Sequence, residues 1–591
     1  MKKILIALVV FSIFVGCKQK ETKLEANADL AKLFDQYFED RLKLYPLEAT
    51  AQGDNRYNDQ LQNDISQSFR NQERAFFQKY LTQITTYHPE NLNENDRISY
   101  DIFKREMEMN LEGLTYKATW EIPFQQFWGL PITMGQLGSG SGNQPFKTVK
   151  DYQNWLKRIS AFSIWADTAI SNFKVGMADG IVLPKKLVEK MIPQMESMVV
   201  KDPKTSLFYD PIKNLPSSFS VSDKETLTKA YEKAISEELI PAYQKLATFL
   251  KTEYLPKART SAGISNIPEG AEYYKYLIRY WTTTNKTPQE IYETGLSEVA
   301  RIKTEMEKTK NLVGFKGDLP AFFEFMKSDK QFMPFQTPKE VLDSFEHIHQ
   351  IMMPKLKVLF GRTPKTKFEI RQTEAFRAAS ASAEYNQGSA DGSRPGIFYV
   401  PILDAKTFNI TSGMESLFLH EAIPGHHYQI SLQQENTALP KFRRFAWFGA
   451  YGEGWALYTE SLGKELGLYT NPYQYMGALG DEMHRAIRLV VDVALHTKNM
   501  SREEAIKYMM DNEAISEQGA TAEIERYMAI PAQALSYKTG AMKIRELRTK
   551  YEKAQGAKFK ISDFHDEVLK DGVMPLDVFE RKMDAWAANQ K

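Results

Sequence analysis

Residues 412–429, SGMESLFLHEAIPGHHYQ, run from an apolar helical face through a histidine–glutamate pair to a proline–glycine break and two further histidines. Ser412 and Glu415 have the spacing of a capping box, and Met414, Leu417, Phe418 and Leu419 follow as an apolar run. His420 and Glu421 are therefore expected about two turns into a helix. In the zinc-hydrolase pattern H-E-x-x-H the second histidine falls four residues after the first, and here that position is Pro424. On an unbroken helix, at about 100° and 1.5 Å per residue, His426 would lie about 120° around from His420, and His427 roughly 10 Å along the axis. Neither would share a cation with His420, because zinc–nitrogen bonds of about 2 Å bring two ligand imidazoles nearly into contact.

Pro424 removes the constraint. It has no N–H to give to the carbonyl of His420 and its ring crowds that carbonyl, while Gly425 accepts backbone angles closed to other residues. A two-residue excursion brings His426 into the place of the second ligand, and a three-residue excursion brings His427. The first is favoured, since glycine also precedes the second histidine in regular H-E-x-G-H sequences. A third ligand is expected in GAYGEGWALYTESLG, residues 449–463, where Glu453, Leu457 and Glu460 share one helical face. Acids beside Leu457 and Trp455 are seldom buried unless paired or coordinating. Glu453 is the expected third ligand; Glu460 is the expected partner of a ligand imidazole and the alternative ligand. Singly, each residue would read as a hydrogen-bonded core histidine or a solvated carboxylate; together they point to one Zn2+ ion, with Glu421 as general base toward a water.

The rest of the chain sets the context. It has 591 residues, 42% of them hydrophobic, enough for a large core, and 76 Lys and Arg balance 75 Asp and Glu. No global field favours nucleic acid. The start, MKKILIALVVFSIFVGCKQK, joins two lysines, a short apolar run and Gly16 before Cys17, as in a bacterial lipoprotein signal over residues 1–17. Cys17 is the expected lipidation site, which would anchor the protein to a membrane of the cell envelope, in the periplasm or at the outer membrane. It is the only cysteine, so no disulfide framework exists and any metal site must use His, Asp and Glu. Residues 18–28 are polar and aperiodic, as in a tether.

From Asp29 onward the dominant pattern is helical, as in LAKLFDQYFEDRLKLYP. Thr287-Pro-Gln-Glu290, Thr337-Pro-Lys-Glu340 and Ser501-Arg-Glu-Glu504 mark helix starts. KFEIRQT (367–373) and GIFYVPI (396–402) read as short strands around a loop, EYNQGSADGSRP. GLPITMGQLGSGSGNQP (129–145) reads as a hinge or cleft-lining loop. The expected fold is mainly α, with a helical lobe over 29–275 and a second, metal-bearing lobe over 276–591, around a deep cleft with a small sheet beside the metal-bearing helix. His484, Arg488, Asp492 and His496 recur every four residues, either as a solvated face or as a cleft-lining stripe in which Arg488 binds a substrate carboxylate. Arg394 is another carboxylate candidate, and GIFYV, with Tyr399, would be an edge strand pairing with an extended peptide.

On HEAIPGHHYQ (420–429) and EGWALYTE (453–460) the chain resembles the bacterial domain-of-unknown-function family 885, whose members carry HEAxPGHxxQ and an EGWALYxE-like segment. The likeness continues through YPLEATAQGDNRYND, DGSRPGIFYV, MHRAIRLVVDVALH and ERYMAIPAQALSYKTG. That family looks like a branch of the helical gluzincin peptidases, which implies helical lobes flanking a cleft and an oxyanion donor C-terminal to the metal: Tyr537 or His496, with Tyr527 as a further candidate. The leading expectation is a lipid-anchored zinc metallopeptidase acting on short peptides. Its alternatives are a zinc amidase for a non-peptide or cell-wall amide and a non-catalytic peptide-binding lipoprotein; Glu421 beside the ligands argues for an enzyme, since a pure binder has no need of a base.

Overall fold

A computed structural model describes residues 25–373, 382–388, 394–411 and 413–590. Cys17, most of the tether and Ser412 lie outside this set. Among the described residues helices dominate, with one three-stranded sheet, and none of the helices is long and apolar enough to cross a membrane.

The helix starts follow local chemistry. Thr287 and Ser501 each form reciprocal capping boxes with Glu290 and Glu504. At Thr337 the side chain caps the N–H of Glu340, but the Glu340 carboxylate turns to the N–H of Gln336 instead of completing the box. The first helix, Ala28–Leu44, is capped by Asn27 and buries Leu30, Phe34, Tyr37, Phe38 and Leu42 along one face. The expected loop at 129–145 is partly wrong: Leu130–Gly138 is a helix with Pro131 in its first turn, and it buries Leu130, Met134 and Leu137. Its Gly135 and Gly138 pack against Met198, Leu207, Phe208 and Trp155.

The two expected strands form, as β1 (Phe368–Gln372) and β3 (Gly396–Val400). Between them the segment read as a loop opens with a third strand, β2 (Glu384–Asn386). The order is β1-β3-β2, with β1 parallel and β2 antiparallel to β3. β3 is thus the buried centre of the sheet, and GIFYV is not an edge; β2 is.

Two large apolar clusters hold the molecule together. One joins Trp155, Trp165 and Tyr243 to Ile487, Val490 and Met509. The other joins Phe34 and Phe103 to Phe398, Phe418, Trp455 and Phe579. Each draws on both sides of residue 275, so spatial grouping cuts across chain order: Phe34 lies 4.8 Å, ring to ring, from Phe442. The helix Gly449–Glu460 packs against Ser536–Gln555 with almost no separation, for a Cβ at Gly454 would come within 2.5 Å of the Gly540 Cα. Only glycine at both positions permits this approach.

A candidate metal centre

The helix Met414–Glu421 begins after Gly413, whose φ of 76° occupies the N-cap position. The capping box expected from Ser412 falls on a residue outside the described set; the Glu415 carboxylate accepts from the N–H of Tyr469 (2.7 Å). His420 and Glu421 close that helix. The chain then turns through a cis Ile423–Pro424 bond, and a new helix, His426–Glu435, starts at once. Two contacts hold the break. The Trp455 indole N–H donates to the Pro424 carbonyl (2.8 Å), and the Thr459 hydroxyl donates to the Leu419 carbonyl (2.8 Å). Gly425 lies so close to the preceding helix that a Cβ there would be 1.9 Å from the His420 carbonyl oxygen.

This geometry separates the adjacent histidines. His426 turns to His420, with ring centroids 4.9 Å apart and planes nearly perpendicular. Glu453 Oε2 lies 3.4 Å from His426 Nε2 and 3.7 Å from His420 Nε2. One donor atom from each of the three residues lies within 4.8 Å of the others. His427 points the other way. Its Nδ1 is 3.1 Å from the Tyr385 hydroxyl on β2, its ring is 4.9 Å from Phe368 on β1, and burial pushes its pKa down to about 4. It is a neutral wedge beneath the sheet.

Behind the cluster, Glu460 Oε1 is 2.7 Å from His420 Nδ1. Glu460 is in turn 3.8 Å from Arg485, which also lies 3.4 Å from Asp481. With Nδ1 held by Glu460, Nε2 is the His420 nitrogen turned to Glu453. Burial disfavours the charged form of His420, but the hydrogen bonds to Glu453 and Glu460 outweigh it and lift the pKa to about 10. Burial likewise opposes ionisation of Glu453, and the charges of His426 and His420 overcome it, holding its carboxyl well below the usual range. Glu421 goes the other way: burial raises its pKa, only partly offset by the two histidines, with the Tyr385 N–H also favouring the anion.

His420, His426, Glu421 and Glu453 line a cavity of about 890 Å³ that also takes in Ser382–Tyr385 at the sheet edge. Tyr537 lines it too, its ring under the Arg488 guanidinium at 4.7 Å. Arg488 is buried and committed: it donates to Tyr527 (3.0 Å) and to Glu523 (2.9 Å). The four-residue stripe is therefore not a solvated face. His484 meets Glu513 and Glu523 at the cavity wall, but Asp492 accepts from Tyr274 and Ala532 in the core. His496 lies deeper still and apart from the cleft. Its Nδ1 accepts from the Ile264 N–H, its Nε2 donates to the Tyr527 carbonyl, and burial lowers its pKa to about 3. With both nitrogens taken by backbone it has none to offer an oxyanion.

Tyr527 is fully buried behind Arg488, and its hydroxyl donates to Glu523. Arg394 is exposed, 3.4 Å from the Gln387 carbonyl, and neither it nor Tyr399, in the central strand, lines the cavity. Sequence reasoning missed Tyr385, Arg485, Asp481 and Glu523. Arg485 alone had a local signal, as the i+4 neighbour of Asp481 beside the stripe.

Fold and site together define a mainly α-helical protein that carries a His–His–Glu cluster and an adjoining glutamate on one cavity. The chain belongs to the family described as bacterial protein of unknown function (DUF885), whose model matches residues 46–583. Among solved structures it is similar to a candidate lipoprotein from Colwellia psychrerythraea, at 28% identity and a TM-score of 0.87 over 95% of this chain and 99% of that one. It is also similar to a candidate lipoprotein of unknown function from Shewanella oneidensis, at 19% identity and a TM-score of 0.74 over 94% and 100%. No functionally curated protein matches it in sequence.

Proposed function

We propose that the protein is a zinc-dependent metallohydrolase that cleaves short peptides at the bacterial cell envelope, anchored through lipid on Cys17. The observation that carries this is the mutual approach of His420, His426 and Glu453 beside Glu421 on one cavity. The donor set fits the ion: two imidazoles and one carboxylate are a common catalytic zinc set, and Glu460 on His420 is the usual outer partner. A zinc ion held by these three residues would supply a Lewis acid that polarises a carbonyl and lowers the pKa of water.

The chain's own residues then have assignable tasks. Glu421, buried and with a raised pKa, takes the proton of the attacking water and returns it to the leaving amine. Tyr537, half-buried on the cavity with a cation at its ring, is the remaining oxyanion donor of the original candidates. β2 is the sheet edge nearest Glu421, and an extended peptide would lie along it. The Cys17 motif and the lipoprotein descriptions of both similar structures support envelope anchoring.

The test is metal analysis and cleavage of a mixed peptide library by the protein from residue 25 onward, with Glu421→Gln alongside. The expected result is one zinc per chain in both, with cleavage by the wild type only. A protein that takes up no zinc, or a Glu421→Gln variant that cleaves at the wild-type rate, would overturn the proposal; zinc without cleavage would make the protein a binder.

A further inference from the structure

A second cavity, of about 830 Å³, adjoins the first: Ile430, Trp447 and Arg526 line both. Phe127, Trp128, Tyr280 and Trp447 are 49%, 58%, 42% and 45% exposed. Among the described residues no other Phe, Trp or Tyr is as exposed, and all four line this cavity. Exposed apolar residues scattered singly need no explanation, but a concentration in a concavity marks a binding surface.

Trp447 is the link between the two spaces. Its indole lies against Gly452, where a Cβ would run into the ring, and its ring centroid is 5.8 Å from that of His426. A chain leaving the cluster across this ring enters the second cavity directly. The charged residues lining that cavity are Arg41, Arg105, Arg444 and Arg526 with Glu48 and Glu106, and Arg526 also lies 3.6 Å from Glu523. Glu48 and Glu106 are held by Arg41, at 2.8 and 3.7 Å. Arg105 donates to the Arg279 carbonyl, with the Asp577 carboxylate also acting on its charge, while Arg444 donates to the Gln434 carbonyl, a dipole and not a carboxylate.

We propose that this cavity is a specificity subsite that takes an aromatic side chain and an adjacent carboxylate of the substrate, so that the preferred substrates are acidic, aromatic-bearing oligopeptides reaching past Trp447. The proposal rests on the hydrolase reading above for its scissile bond, but its binding part can be measured without catalysis. Flat rings accept an aromatic side chain by offset or edge contacts, and guanidinium groups accept carboxylates in a fork geometry.

The experiment uses the full chain, zinc-loaded in detergent, as wild type, Glu421→Gln, Phe127→Ala and Trp128→Ala. Calorimetry on Glu421→Gln, alone and combined with each alanine change, compares a hexapeptide containing Phe-Glu with one containing Ala-Gln; cleavage of both is followed on the other proteins. The subsite predicts at least tenfold tighter binding of the Phe-Glu peptide, loss of that preference on adding Trp128→Ala or Phe127→Ala, and unchanged binding of the Ala-Gln peptide. Equal binding of the two peptides, a preference that survives both alanine changes, or displacement by an amino-sugar tetrasaccharide of a peptide that shows no such preference would overturn it. Aromatic preference without cleavage by the wild type sinks the hydrolase and leaves the binding subsite; cleavage without preference does the reverse.

Discussion

Gly425→Ala perturbs the one backbone approach on which the cluster depends. A Cβ at this position would stand 1.9 Å from the His420 carbonyl oxygen and 2.3 Å from that of Leu419, whereas real Cβ contacts essentially never fall below 3.0 Å. The difference between 3.0 and 1.9 Å means that the two helices must separate by about 1.1 Å. Both obstructing atoms belong to backbone, so no side-chain rotation relieves the clash. The helix that moves begins at His426, and the helix it moves from ends with His420 and Glu421. A zinc site tolerates ligand distances only within about 0.2 Å of ideal, so a displacement of this size removes one imidazole from reach.

Overpacking of this kind costs about 1–3 kcal/mol, and a misplacement of about 1 Å costs roughly 100-fold in rate. The expected outcome is a folded protein whose zinc affinity, measured by competition with a chromogenic chelator, drops by at least about 100-fold. Its thermal midpoint should fall by only a few degrees in the absence of metal. Gly480→Ala serves as the stability control, because a Cβ there meets nothing within 4 Å, and alanine is about 1 kcal/mol better than glycine inside a helix. Wild-type zinc affinity in Gly425→Ala, with circular dichroism unchanged, would refute the claim that this approach sets the ligand geometry.

Three further outcomes follow from the same geometry. His426→Ala should abolish zinc binding, while His427→Ala should keep one zinc per chain and lose about 1–3 kcal/mol in urea unfolding by removing a buried imidazole that hydrogen-bonds the Tyr385 hydroxyl; equal zinc loss in both would contradict the division between them. Glu460→Gln should weaken zinc by about 10–100-fold with little change in fold, since it removes the charge behind His420 but keeps its shape, and an unchanged affinity would show that Glu460 does not tune the ligand. Burial raises the Asp492 pKa from 3.8 to about 7, so the folded state binds that proton more tightly than the unfolded state does. Its contribution is fully present below about pH 3.8 and is lost as pH rises through about 7, at up to about 1.4 kcal/mol per pH unit. Asp492→Asn should flatten the stability profile in this window, and superimposable profiles would exclude Asp492 as the source.

The helical architecture was legible because its determinants are local. Caps such as Thr287 and Ser501 and the apolar face of Ala28–Leu44 act within a few residues of themselves. What failed was structure made by distant chain. β2 is three residues long, too short for an alternating pattern, and exists because β3, ten residues later, pairs with it. At 130–138 the glycines suggested a hinge, yet the segment is a helix because its leucines and methionine have a core to enter. Phe34 and Phe442, from the two sides of residue 275, meet in one cluster.

The site divides in the same way. Its cation-binding candidates sit in two short motifs, so residue type and spacing carry most of the information, and the proline–glycine break even indicates which helix must stop. Spacing alone could not decide between His426 and His427, however, because that choice depends on where the next helix points. Trp455 and Thr459 hydrogen-bond the Pro424 and Leu419 carbonyls, and His426 is the imidazole turned toward Glu453. Here the segment that supplies Glu453 also supplies the clamps that turn His426 toward it, so an acid and the backbone break it faces are held by one helix. The stripe from His484 to His496 shows the opposite limit. Its period of four continues for three turns, but the cavity wall covers only the first part, and periodicity carries no mark of where a cleft ends and a core begins. Arg488 therefore faces the cavity, whereas His496, two turns further along the same face, spends both nitrogens on backbone.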